Sequence, residues 1–370
     1  MIFSKQFDKE LLEHLGNVAT MIRDIASTKD GYKFLISLLF HKRAMLYFTQ
    51  ASTRTFLSFM AALQILGISW SEIRDPSVSS EYKGESPLDS MRMFSSYCDI
   101  IIMRSKIPDF AECCAYLMND LDDFNQRNVP IINGGAGADE HPTQALLDIY
   151  TIQREFAFVS KKDSSKWTLF DELRKKYPGL KRGLDGKVYG FCGDVGRGRT
   201  VRSLTNLLSQ YDDMTFYFVS PDHPKLKLPA NFKNELLDQG VDVKEYDDLN
   251  EVVDKVDMLY MTRIQHEHDS AEDKEFFKKL DYSKYYLSKD KVERMKDYAA
   301  ILHPFPRDTR AKEIPAEIDN DPRAKYFAQA RNGIWIRAAL IAYLFDADGK
   351  IASHYQKHFS DYHDYNVEVL

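Results

Sequence analysis

Short apolar stretches alternate along this chain with longer segments of helical period, and nearly every stretch stops abruptly at polar or cationic residues. Consecutive apolar residues without polar alternation suit strands covered on both faces. The helical segments between them supply the crossovers that parallel pairing requires. In the first half, Ala44-Met45-Leu46-Tyr47-Phe48, Ile100-Ile101-Ile102-Met103 and Val129-Pro130-Ile131-Ile132 read as strands. In the second half the strands are Val188-Tyr189-Gly190-Phe191, Thr215-Phe216-Tyr217-Phe218-Val219, Met258-Leu259-Tyr260-Met261 and Ala300-Ile301-Leu302. The expected fold is therefore α/β, with two doubly wound domains built on parallel sheets. A polar, lysine-rich stretch over 160–187 marks the boundary region, after a helix over about 143–156. This predicts domains over 1–155 and 156–323, a long apolar helix over 324–345 and a polar, aromatic-rich tail over 346–370.

Length agrees, since 370 residues exceed the ~100–200 of a single domain and can bury a core without staples. Lys and Arg total 50 against 56 Asp and Glu, a net charge of -6. That balance excludes broad electrostatic binding to nucleic acid or to an anionic membrane. The cysteines, Cys98, Cys113, Cys114 and Cys192, form no C-x-x-C pair and read as free buried thiols of a reducing compartment. The amino terminus lacks signal-peptide features, and stretches such as Leu38-Leu39-Phe40 fall far short of a bilayer span. A soluble cytoplasmic protein is expected.

In open α/β sheets ligands collect at the carboxyl ends of strands, so chemistry is sought there. After the first strand comes Ser52-Thr53-Arg54-Thr55, opening a helix marked by Phe56, Phe59, Met60 and Leu63 and ending at Gly67. Hydroxyls, free amides and a guanidinium at a helix start suit a tetrahedral phosphate. An ordinary N-cap at Ser52 or Thr53 explains the same segment equally well. Arg104 ends the next strand and alone reads as a surface charge. Gly134-Gly135-Ala136-Gly137 leads to His141-Pro142-Thr143-Gln144, where Pro142 fits a helix start; alone, His141 and Gln144 read as structural.

In the second half, Gly193-Asp194-Val195-Gly196-Arg197-Gly198-Arg199-Thr200 matches the P-loop spacing, with Arg199 in place of the lysine. A P-loop-like nucleotide-binding protein is thus the rival. The later strands end in cations, at Arg263 and Arg307, rather than in a magnesium-binding acid. His266-Glu267-His268-Asp269 lacks a partner cluster, so no metal site is expected.

Together these segments resemble the aspartate and ornithine carbamoyltransferase family over most of the chain, in order. The match comprises Ser52-Thr53-Arg54-Thr55, Lys83-Gly84-Glu85-Ser86, Met103-Arg104, His141 through Asp148, Gly193 through Val201, Met261-Thr262-Arg263-Ile264-Gln265 and Leu302-His303-Pro304-Phe305-Pro306-Arg307. The last two segments look like the aspartate branch. The resemblance implies a carbamoyl-phosphate domain, rejoined by the final helix, then an aspartate domain, with the active site between them. It implies transfer of the carbamoyl group from carbamoyl phosphate to L-aspartate in pyrimidine biosynthesis, or to another amino acid as the alternative.

By the same resemblance, Ser52, Thr53, Arg54, Thr55, Arg104 and Lys83 hold the phosphate, and Thr55, Arg104 and His141 stabilise the carbonyl oxyanion. Gln144 and carbonyls near Pro304 and Phe305 hold the carbamoyl NH₂. Arg199, Arg263 and Gln265 take the aspartate carboxylates. A homotrimer is implied, with Ser79 and Lys83 reaching a neighbouring chain's site, and no metal or other cofactor is required. A regulatory or dihydroorotase partner is compatible with the resemblance and not specified by it. The chain departs from the family's usual residues at Gln50, Phe56, Arg197, His268 and Phe305. Acceptor preference and domain closure are where those departures bear.

Overall fold

The computed structural model describes residues 1–75, 84–135, 140–158, 165–264, 270–308 and 313–359. Its described residues divide into two compact units: Met1–Tyr150 with the chain from Arg331 onward, and Thr151–Ala330.

The first unit opens with α1 (Lys9–Ile25), α2 (Lys29–Leu38), β1 (Arg43–Phe48), α3 (Thr53–Ile65) and β2 (Ser69–Ile73). There follow α4 (Pro87–Tyr97), β3 (Ile100–Arg104), α5 (Phe110–Asp123), β4 (Ile131–Asn133) and α6 (Pro142–Phe156), within which the chain passes into the second unit. Its sheet is wholly parallel, in the order β2-β1-β3-β4. Two of the apolar stretches became the central strands β1 and β3, and the third ends the sheet as β4; every residue of β3 is buried. Met45, Tyr47, Ile101 and Met103 line one face of the sheet with Met91 and Cys114 of the covering helices. β2 was not expected. Ser69-Trp70-Ser71-Glu72-Ile73 is an edge strand with no buried residue, so it carries no apolar run to betray it.

The second unit holds α7 (Ser165–Lys176), β5 (Val188–Cys192), α8 (Arg199–Leu208), β6 (Thr215–Val219), α9 (Ala230–Asp238), β7 (Asp242–Tyr246) and β8 (Met258–Met261). It continues through α10 (Ala271–Lys279), α11 (Lys289–Arg294), β9 (Ala300–Leu302) and the start of α12 (Tyr326–Leu344). The sheet is again parallel, ordered β7-β6-β5-β8-β9. Val219, Leu259, Met261 and Ile301 share one core with Val252, Val256 and Val292.

In both sheets the winding reverses once, between β1 and β3 and between β5 and β8. Such switch points open a crevice at the strand ends.

Three expectations need correction. The stretch over 160–187 is not simply polar linker: from 165 it forms α7, whose Phe170 and Leu173 pack with Leu180. Within the expected tail, α13 (Asp348–Phe359) buries Ile351 and Tyr355, four residues apart, and lies against α1. Of the four thiols, Cys113 is exposed; burial of Cys114 and Cys192 pushes each up to about 12. No described helix is long and apolar enough to cross a membrane.

Candidate active site

At the first switch point, Phe48 of β1 pairs with Arg104 of β3, and the Gln50 amide donates to the Arg104 carbonyl at 3.1 Å. This clasp delivers the chain directly into α3. Ser52 is its N-cap residue, yet its side chain makes no capping bond to the helix amides and instead donates to Thr55 Oγ1 at 2.9 Å. The first turn carries no acidic residue. Amides that their N-cap side chain leaves uncapped, in a first turn without an acid, favour an anion through their partial positive charge. Arg54 adds a full charge at the exposed helix start. Desolvation lowers its pKa from 12.5, and a guanidinium remains protonated at neutral pH all the same.

Across from this turn stands Gly134-Gly135. The Arg104 side chain is buried and donates through Nη1 to the Gly134 carbonyl at 3.0 Å. Gly135 has φ +98° and its amide donates to Asn133 Oδ1 at 2.8 Å. A Cβ on Gly135 would come within 2.5 Å of Arg104 Nη1 and 2.8 Å of His141 Cδ2, while one on Gly134 would lie 3.7 Å from the Thr55 methyl. Thr55, Arg104 and His141 therefore gather around these two glycines. Gln144, one turn into the helix that His141 precedes, donates to the buried carboxylate of Asp148 at 2.9 Å.

Gln50 and Phe56 also find places here. Gln50 Oε1 is buried without a hydrogen-bond partner among the described residues. Phe56 packs edge-on against Phe48 at 5.4 Å, with the Arg74 guanidinium 4.7 Å from its ring centroid.

The second switch point is built by the second unit alone. Gly193 turns with φ +117°, and a Cβ there would lie 2.2 Å from the Thr262 carbonyl oxygen, so only glycine fits. Thr262 Oγ1 donates to the Cys192 carbonyl at 3.1 Å and accepts the Asp194 amide at 2.9 Å. This sews the ends of β5 and β8 together; Arg263 lies two residues past the end of β8, and Arg199 opens α8, the helix that follows β5.

The P-loop alternative fails on these amides. Those of Asp194, Val195, Gly196 and Arg197 are spent on Thr262 Oγ1, the Gly193 carbonyl, the Leu226 carbonyl and Asp194 Oδ1. A P-loop needs them aimed at phosphate. Arg197 is held by its own turn, its Nη2 2.8 Å from Asp194 Oδ2.

Pro304 and Phe305 follow β9 in the same unit. Phe305 has φ +56°, and its amide donates to His303 Nδ1 at 2.8 Å. That bond makes Nδ1 the acceptor and puts the ring proton on Nε2, 3.1 Å from Glu313 Oε1. Glu313 also accepts the Asp308 amide at 3.0 Å, closing a clamp around the turn. Arg307 forms a two-toothed pair with Asp319, which also accepts the Tyr326 hydroxyl. Ser79, Lys83 and Gln265 lie outside the described residues, as do His266 and His268. Among the described residues, no group of three or more His, Cys, Asp or Glu is placed to hold a metal ion.

The supporting roles of Ser58, Asn133, Asp148, Thr262 and Glu313 were missed from the sequence, although Asp148 and Thr262 lie within segments that carry the resemblance. For the first four the one signal there is a polar side chain inside or just after an apolar segment, which identifies no partner; Glu313 has not even that.

Comparison with known proteins matches residues 1–154 to the family described as "Aspartate/ornithine carbamoyltransferase, carbamoyl-P binding domain". Residues 185–344 match "Aspartate/ornithine carbamoyltransferase, Asp/Orn binding domain". The chain is 37% identical over 352 residues to the chloroplastic aspartate carbamoyltransferase 1 of Pisum sativum, covering 93% of this chain and 78% of that one. Its fold matches the catalytic subunit of M. jannaschii aspartate transcarbamoylase with a TM-score of 0.75 at 32% identity, over 94% and 97% of the two chains. It also matches Trypanosoma cruzi aspartate transcarbamoylase in complex with N-(phosphonacetyl)-L-aspartic acid, with a TM-score of 0.74 at 30% identity over 92% and 94%.

Proposed function

Because the chain belongs to the aspartate/ornithine carbamoyltransferase family, we propose that it transfers the carbamoyl group of carbamoyl phosphate to the amine of L-aspartate. The products are N-carbamoyl-L-aspartate and phosphate, in a step of pyrimidine biosynthesis. The observation that carries this assignment is the uncapped start of α3, whose Thr55 gathers with Arg104 and His141 around Gly134-Gly135. A phosphate held by amides, hydroxyls and Arg54 puts the donor's carbonyl oxygen within reach of those three side chains. The neutral amine attacks the carbonyl carbon, and the oxyanion that forms is stabilised by positioned donors worth ~10²–10³ in rate each. The C–O bond to phosphate then breaks, and the leaving phosphate is an acceptor for the amine proton. Gln144 and the carbonyls of Pro304 and Phe305 orient the carbamoyl NH₂, while Arg199, Arg263 and Gln265 bind the two carboxylates. Positioned cations supply the charge stabilisation in this scheme.

We propose further that three chains assemble, with Ser79 and Lys83 completing a neighbour's site, and that the enzyme works in the cytoplasm, where its free thiols stay reduced. Light scattering and cell fractionation test these two points.

Incubating the protein with carbamoyl phosphate and a panel of amines is the direct test of the reaction. Aspartate is expected to be carbamoylated with one phosphate released per turnover; product from ornithine alone would overturn the acceptor, and no product would overturn the activity. Gly135→Ala probes the donor site. Its methyl would intrude on Arg104 and His141 in a left-handed conformation. We expect kcat/KM for carbamoyl phosphate to fall roughly tenfold, with thermal unfolding shifted only modestly; unchanged kinetics would place neither side chain in the donor site.

A further inference from the structure

One charge sits where helix amphipathicity does not call for it. α12 is apolar through Trp335-Ile336-Arg337-Ala338-Ala339-Leu340, and Arg337 within it is only 3% exposed. A guanidinium in such surroundings is costly, the more so here because its Nε is buried without a hydrogen-bond partner among the described residues. Its Nη1 donates to Ser58 Oγ in α3, and its Cζ lies 4.8 Å from the centroid of the Phe59 ring. Asp148 of α6, itself fully buried, is the opposing charge whose field reaches it, and α6 comes close to the guanidinium through Leu147, next to Asp148, beside Gly333. Burial pushes Arg337 down to about 10, against the pull of Asp148, so it is charged at neutral pH. Gly333, one turn earlier, leaves it room: a Cβ there would lie 2.6 Å from Nη1 and 3.3 Å from Leu147 Cδ2.

Both partners lead to the donor site. Ser58 Oγ donates onward to the Thr55 carbonyl at 3.0 Å, and Thr55 Oγ1 accepts from Ser52 at 2.9 Å. Asp148 Oδ1 accepts from Gln144 Nε2 at 2.9 Å. We propose that Arg337 is a positioning residue that fixes the two helix starts of the donor site against each other, α3 through Ser58 and Thr55, and α6 through Asp148 and Gln144. If bulk stability were all that mattered, an apolar side chain of similar volume would fill the space as well or better. The guanidinium instead spends its hydrogen bond and its charge on the two helices that present the ligand groups.

This assignment rests on the donor site being a phosphate site, so the test reads phosphate directly and without aspartate. Inorganic phosphate is titrated calorimetrically into the wild-type chain, Arg337→Lys, Ser58→Ala and the double variant, and steady-state KM values are measured for both substrates. Arg337→Lys keeps the charge and loses the Nη1 bond to Ser58. Phosphate affinity is expected to weaken roughly tenfold, with KM for carbamoyl phosphate rising in parallel and KM for aspartate unchanged. Ser58→Ala should move the same way by a smaller factor, and the double variant should be no worse than Arg337→Lys, because the two act in series.

A lowered melting temperature with wild-type phosphate affinity would make Arg337 merely structural. If Arg337→Lys does not fold, Ser58→Ala decides: unchanged phosphate binding overturns the proposal. Should the wild-type chain bind phosphate yet fail to carbamoylate aspartate, the proposed function falls while this inference is still judged by the titration.

Discussion

Arg54→Ala is expected to lower kcat by about 10²–10³, close to 3–4 kcal/mol of lost transition-state stabilisation, while leaving the fold intact. The side chain stands at the exposed second position of α3. Truncating an exposed side chain at a helix start costs the fold little, and alanine is the better helix former. What disappears is the one full positive charge within a helix start whose amides are uncapped and whose first turn carries no acid. Charge accumulates on the phosphate as the C–O bond breaks, so the loss falls on the transition state more than on ground-state binding. Arg54→Lys should recover only part of the rate, since an ammonium cannot present two parallel donors to two phosphate oxygens. Steady-state rates at saturating carbamoyl phosphate, with melting curves alongside, provide the check; an Arg54→Ala enzyme within threefold of wild type would remove Arg54 from the reacting machinery.

The second large effect is a recovery. Arg54→Ala and Lys83→Ala chains, each nearly inactive alone, should regain activity when dissociated together and reassembled. In a ring where every site takes Arg54 from one chain and Lys83 from its neighbour, random mixing of equal amounts restores about a quarter of the sites. Sites built within single chains would show no recovery at any ratio. The assay therefore speaks to assembly and to site architecture in one measurement.

What could be read from the residues followed from distance along the chain. Ala44 to Phe48, Ile100 to Met103 and Thr215 to Val219 declared themselves because central parallel strands are apolar on both faces. The edge strands Ser69–Ile73 and Asp242–Tyr246 did not, because one residue at most of each is buried. The helix at Asp348–Phe359 was taken for tail because it needs only Ile351 and Tyr355 to dock. At the donor site, hydroxyls and a cation within four residues made Ser52 to Thr55 conspicuous. The Arg337–Ser58 bond joins residues 279 positions apart, and nothing local to either residue announces it. Arg104 and His141 drew meaning from the family pattern; that both press on Gly135 emerged only in three dimensions.

The discontinuity of the first unit has a consequence for how a ribosome delivers this protein. Residues 1–150 emerge first, but α1 must wait for α13, whose Asp348 meets His14 at 2.7 Å and whose His354 stacks on Phe34. At ~5–20 residues per second, that wait lasts roughly fifteen to sixty-five seconds. Meanwhile the contiguous span from Thr151 to Ala330 has already left the exit tunnel. The half begun first is thus finished last, and a nascent chain halted before residue 331 lacks both the Arg337 bond to Ser58 and the packing of α13 on α1.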